Sequence, residues 1–144
     1  VQMVKQISLF LENKKGRLAH ACRVLGDAGI NIRALSIADT SDFGVLRLIV
    51  NDPDKAFAVL TEKGFITNIT SVLAIKVPDR PSGLAGVLES LDTAGINVEY
   101  MYAFIGSDSK DALVIIRVEN HAGLIEVIEK MGIQVLHGEE VYTL

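Results

Sequence analysis

Two short stretches hold the residues best suited to grip a small charged molecule. They are Asn13-Lys14-Lys15-Gly16-Arg17-Leu18 and Asp79-Arg80-Pro81-Ser82-Gly83-Leu84, and each precedes a run of helical periodicity. The first turn of a helix offers N–H groups without intrahelical partners and a partial positive charge, which suits a carboxylate. Gly16 and Gly83 allow backbone to come close to a bound group, and Lys14 and Arg17 add positive charge near such an anion. Asn13 can both donate and accept, and Asp79 can pair with an ammonium. Thirteen residues after the Leu of each loop stands a further Asn, Asn31 or Asn97. A plainer reading stays open for both kinds of position. Asn13 and Asp79 can simply cap helices, and Asn31 and Asn97 can satisfy local backbone at a corner.

These residues are positioned by a repeat. Asp27-Ala28-Gly29-Ile30-Asn31-Ile32 returns 66 residues later as Thr93-Ala94-Gly95-Ile96-Asn97-Val98. In each copy Gly stops a helix and β-branched residues start a strand. Ile7, Leu9 and Leu11 alternate with polar residues, which predicts a strand. Leu18, Ala21, Cys22, Leu25 and Ala28 form the buried stripe of a first helix. Asn31–Ala38 and Val45–Val50 read as a hairpin around the turn-rich Asp39–Gly44. Asp52-Pro53 opens a second helix with Ala56, Val59 and Leu60 inward. Phe65–Ile69 is a fourth strand, running on near Thr70 into the next unit. The second pass matches: a strand through Leu73, Ile75 and Val77, then a helix with Leu84, Val87, Leu88, Leu91 and Ala94 inward. The hairpin Asn97–Ile105 and Ala112–Val118 follows, with its turn at Gly106–Asp111. A helix with Leu124, Val127, Ile128 and Met131 and a last strand over Val135–Tyr142 complete it. The expectation is an α+β fold of two tandem ferredoxin-like βαββαβ units, residues 1–70 and 71–144. Each is a four-stranded antiparallel sheet with two helices on one face. The helix-free faces carry Val45 and Ile49, and Leu113 and Ile115.

Composition narrows the function. The chain has 144 residues, 49% hydrophobic, with a net charge of −4, which argues against nucleic acid or an anionic membrane as partner. No apolar run approaches a membrane span, and Val1–Gln6 lacks the regions of a signal peptide. The single Cys22 excludes an intrachain disulfide and a cysteine zinc site, pointing to a reducing, cytoplasmic setting. Cys22 itself lies on an apolar stripe and reads as core. His20, His121 and His137 are scattered and read as surface residues rather than metal ligands, and Glu139-Glu140 as solvated. The third strands carry no stacking aromatic, so an RNA-recognition module is set aside. Tyr100, Tyr102 and Phe104 share a strand face, where they pack or line an interface. No nucleophile–base pair, carboxylate pair or metal cluster has supporting spacing, so neither enzyme activity nor a cofactor is expected.

The two loops with their helix and Gly-Ile-Asn corners resemble the ACT domain. Its typical pattern is Asp/Asn-Arg-Pro-Gly-x-Leu, then a helix ending in Gly-Ile/Val-Asn-Ile/Val. The resemblance covers both halves of the chain, with Lys15 in place of the usual Pro and Ser82 in place of the usual Gly. It implies a regulatory protein that binds a free amino acid or related metabolite where ACT units meet, of the stand-alone tandem kind. The ligand contacts it implies are Asn13, Lys14, Lys15, Gly16, Arg17, Leu18, Asn31 and Ile32, and Asp79, Ser82, Gly83, Leu84, Asn97 and Val98. Implied partners are the amino acid, a metabolic enzyme or regulator, and a second copy of the chain in a closed dimer. The alternative is a ligand-independent module that docks on an enzyme or transcription factor.

Overall fold

The computed structural model describes residues 3–39, 42–104 and 111–144. Val1–Gln2, Thr40–Ser41 of the first expected hairpin turn, and Ile105 with the Gly106–Lys110 part of the second lie outside the described residues. Seven strands and five helices follow in order among the described residues: β1 (Val4–Glu12), α1 (Arg17–Asp27), β2 (Ile32–Asp39), β3 (Phe43–Val50), α2 (Pro53–Glu62), β4 (Ile66–Pro78), α3 (Gly83–Thr93), β5 (Val98–Ala103), β6 (Asp111–Val118), α4 (His121–Lys130), β7 (Val135–Leu136) and α5 (Gly138–Tyr142).

The chain divides into two compact units. The first holds Lys5–Thr70 and Tyr142–Leu144, and the second holds Ser71–Val141 and the segment ending at Val4. In the first unit the strand order is β2-β3-β1-β4, with β3 antiparallel to both β1 and β2. In the second, β5 pairs β6, β6 pairs β4 and β4 pairs β7, all antiparallel. Counted within each unit, both orders are second, third, first, fourth. That is the ferredoxin-like arrangement of a βαββαβ unit.

Alternation in the strands and a 3.6-residue stripe in the helices build each core. In the first unit Ile7, Leu9 and Leu11 of β1 and Leu46, Leu48 and Val50 of β3 meet Ala21 and Leu25 of α1 and Ala56 and Leu60 of α2. In the second, Leu73, Ile75, Val77, Val114, Ile116 and Val118 meet Val87, Leu91, Leu124 and Ile128. Each large aliphatic side chain fully buried this way contributes about 1.5–3 kcal/mol. Both helices of a unit therefore cover one sheet face. Ile32 and Val98, expected at the ligand, pack partly buried against these two cores. The repeat extends to irregularities. The β2–β3 register shifts between Ile32 and Ala34, and the β5–β6 register between Val98 and Tyr100, leaving Arg33 and Glu99 at matching bulges.

Four expectations need correction. The last strand spans only Val135–Leu136, and the chain then turns into α5. Glu140 Oε1 accepts the His137 N–H at 3.0 Å, as the third-position Glu of a capping box does. The acidic pair Glu139-Glu140 is exposed, as read, but it starts a helix in place of extending a strand. Second, β3 begins at Phe43 rather than Val45, because Phe43 pairs with Glu12 and Gly44 with Leu11. Third, Leu18 and Leu84, read as core, are both 43% exposed, each lying in the first turn of its helix. Fourth, Gln6, one of the polar residues that alternate with the apolar face of β1, is fully buried, and its Nε2 donates to Ser8 Oγ at 3.3 Å.

Candidate ligand-binding loops

The two β–α loops share one backbone design. In the first, Lys14 N–H donates to Glu12 O, Arg17 N–H to Lys14 O, and His20 N–H to Gly16 O. In the second, Arg80 N–H donates to Pro78 O, Gly83 N–H to Arg80 O, and Gly86 N–H to Ser82 O. The N-cap of each helix is left-handed: Gly16 at φ 88 and Ser82 at φ 67. Neither cap gives a side-chain hydrogen bond to its helix. By contrast, Asp52 accepts from Lys55 N–H ahead of α2, and Asn120 accepts from Gly123 N–H ahead of α4. So α2 and α4 are capped by their N-cap side chains, while the N-cap residues of α1 and α3 give no such bond. The N-cap positions belong to Gly16 and Ser82, not to Asn13 and Asp79.

A cleft of about 380 Å³ opens beside the first loop, lined by Glu12, Asn13, Lys14, Asp42 and Phe43. The ladder explains the grouping. Glu12 and Phe43 are register partners at the end of β1 and β3, and Asn13 N–H donates to Asp42 O at 3.0 Å. Lys14 Nζ lies 2.8 Å from Glu12 Oε2, with both side chains more than half exposed. The hydrogen bond from Lys14, then its charge, holds the Glu12 carboxyl below the usual glutamate range. An ion pair this exposed is weak, so Lys14 can turn to an incoming carboxylate at little cost.

The other residues of the first loop lie off the cleft. Lys15 and Gly16 are exposed. Arg17, expected near the anion, sets its guanidinium over the Phe65 ring, 4.8 Å from the centroid, and its Nε is buried without a hydrogen-bond partner. His20 packs on the same ring at 5.4 Å. This cation–π stack fixes the start of α1 on Phe65.

Asn31 does not stand beside this loop within its unit. Ile32 pairs with Val50, Leu48 with Ile7, and Phe43 with Glu12, so Asn31 and Asn13 lie at opposite ends of the sheet. The eleven residues of α1 separate them by about 16 Å. The corner is closed by Asn51, whose Oδ1 accepts the Asn31 N–H at 2.9 Å, while Asn51 N–H donates to Asn31 O at 3.1 Å.

In the second unit Asp79 and Ser82 are exposed and Gly83 is buried. A Cβ on Gly83 would stand 2.1 Å from Pro78 O. Gly83 therefore admits the protein's own backbone, and the close approach expected for a ligand is taken internally. Asn97 lines a separate cleft of about 250 Å³ with Gly95, Ile96, Glu99, Glu119 and Asn120. Next to it Arg117 links Glu99, Nε to Oε2 at 3.5 Å, and His121, Nη1 to Nε2 at 2.9 Å. Burial, and then the Arg117 charge, holds the His121 imidazole below its ordinary range, opposed by Glu99. Among the described residues no cluster of three or more His, Cys, Asp or Glu side chains could hold a metal. Nor is any helix among them long and apolar enough to cross a membrane.

Glu12, Asp42 and Phe43 escaped the sequence reading. A signal existed in the turn itself, since an aromatic beside Gly44 within a polar connection is out of place unless it belongs to the following strand.

The sequence profile that describes an ACT domain pair matches residues 2–144. The chain belongs to that family. This ACT domain pair is similar to a crystallised protein from Bacteroides thetaiotaomicron, at 43% identity and a TM-score of 0.91, covering 99% of this chain and 98% of that one. It shares its fold with the regulatory subunit of aspartate kinase from Thermus thermophilus, at 15% identity and a TM-score of 0.64, covering 90% and 93%. The corresponding subunit from Thermus flavus aligns at 16% identity and a TM-score of 0.61, over the same shares. Among curated proteins none matches the ACT domain pair.

Proposed function

We propose that this ACT domain pair is a regulatory protein that binds a free amino acid at the loop ahead of α1. One observation carries the reading: the cleft at Asn13 and Lys14, in the loop ahead of α1, sets a cation beside two carboxylates. A zwitterion has the matching pattern. Its carboxylate meets Lys14, and its ammonium meets Asp42 or Glu12. A ligand of about ten heavy atoms held by a few such bonds binds in the micromolar to millimolar range, which suits a sensor of metabolite pools. Asn31 lies at the far end of α1, so it joins the site only when a second copy of the chain presents its own corner. A closed dimer is part of the proposal for that reason. The output is control of a partner enzyme or regulator, in a cytoplasmic setting; the aspartate kinase regulatory subunits share the fold.

Calorimetry and thermal unfolding with a panel of free amino acids test this. One of them is expected to bind and to raise the melting temperature. Replacing Asn13 and Asn31 together by Ala is expected to weaken it by about 1–3 kcal/mol, two hydrogen bonds, with circular dichroism unchanged. No binding at millimolar concentration would sink the sensor reading and leave the ligand-independent docking module. Equal binding by the double variant would sink the site.

A further inference from the structure

The geometry points to a ligand whose side chain is large and apolar. This rests on the amino-acid reading above and names the ligand class for the same cleft. Of the five residues lining it, Glu12, Lys14 and Asp42 are charged and match the two ends of the zwitterion, and Asn13 is a polar amide. The remaining wall is Phe43, a Phe 53% exposed at the first position of β3. Apolar surface of that size facing a polar cleft gains by being covered, in proportion to the area removed from water. The ligand atoms that lie beyond its carboxylate and ammonium are its side chain.

The second unit supplies the control. The ladder partner of Glu12 is Phe43, and the corresponding pair in the second unit is Pro78 with Asp111. At the ladder position beside the matching β–α loop, the second unit thus carries a carboxylate where the first carries an aromatic ring. The aromatic wall is a property of the first loop and not of the loop design. A ligand with an acidic side chain would bring a third carboxylate to Glu12 and Asp42. A glycine or serine would leave Phe43 in water.

The experiment is calorimetry on the full chain with phenylalanine, leucine, isoleucine, glycine, serine, aspartate and lysine. The large apolar amino acids are expected to bind at least about tenfold more tightly than glycine and serine. Phe43→Leu is expected to keep that preference. Phe43→Asp, which installs the second unit's residue, is expected to lose it, so that leucine and serine bind alike. The side chain is exposed, so both variants should retain the fold, and circular dichroism checks this. Tightest binding of serine, aspartate or lysine overturns the ligand class while leaving the amino-acid reading standing. So does an unchanged preference in Phe43→Asp. Absence of binding by all seven overturns both.

Discussion

Gly16 and Ser82 hold the same left-handed turn 66 residues apart, at φ 88 and φ 67. Each accepts, through its carbonyl, the N–H of the residue four further on. One of the pair is suited to the conformation and the other is strained in it, because Cβ crowds the carbonyl oxygen at positive φ. Ser82→Gly is therefore expected to stabilise the protein by about 0.5–1 kcal/mol, after the entropy of the added glycine is set against the relieved strain. Gly16→Ser is expected to cost about 0.5–1 kcal/mol by the same balance. Urea denaturation checks both, as opposite shifts in midpoint at unchanged slope.

Gly83 and Gly86 lie in one helix and should respond with opposite signs. A methyl on Gly83 meets the Pro78 carbonyl, while a methyl on Gly86 meets nothing within 4 Å. Gly83→Ala is expected to destabilise by about 1–3 kcal/mol, since backbone must shift. Gly86→Ala is expected to stabilise by up to about 1 kcal/mol through helix propensity. Differential scanning calorimetry resolves the two. Equal effects would remove the argument that Gly83 is retained for the protein's own backbone.

His121 should titrate below the ordinary histidine range. Arg117 can only donate, so Nε2 of His121 accepts its bond and the ring proton sits on Nδ1. Protonation places two cations against each other. The folded pKa is lowered, so on acidification the unfolded chain takes up the proton first. The contribution of this group to stability is present above the unfolded value near 6.5 and is lost as pH falls from there toward the folded value. NMR titration of the ring should show Arg117→Gln raising the midpoint and Glu99→Gln lowering it. Shifts in one direction for both variants would contradict the arrangement.

Glu140→Ala should cost about 1 kcal/mol, in the manner of a lost cap, by freeing the His137 N–H that starts α5. Glu140→Gln keeps an acceptor oxygen at that place and should cost less. Urea denaturation of the two variants measures the difference.

The fold was legible where patterns repeat. Period-two runs through Ile7 and Leu73, helical stripes through Leu25 and Leu91, and the two Gly-Ile-Asn corners each occur twice, so two weak signals read together. The loops at Asn13 and Asp79 were legible for the same reason. What escaped was set by single contacts. Nothing in the order of residues says that Arg17 lies on Phe65, because Phe65 arrives from the far side of α2. Phe43 was hidden among turn-forming neighbours, and only its ladder partner Glu12 assigns it to a strand. Gly83 read as room for a ligand, but Pro78 O fills that room. The helix at Gly138 looked like a strand until Glu140 was seen holding the N–H of His137.

Tyr142 is assigned to the same unit as Lys5, whose N–H donates to the Tyr142 hydroxyl at 2.8 Å across 137 residues of sequence, and Arg33 Nε donates to the Tyr142 carbonyl at 3.4 Å. Synthesis proceeds from Lys5 toward Tyr142, so at the usual pace of a ribosome the two are made roughly 7–30 s apart. The half that leaves the tunnel first is thus the half that is finished last. A nascent chain stalled or cut after Thr70 carries β1 without the partner for its Lys5 amide, and the quality of the first unit becomes a readout of whether translation ran through to the second.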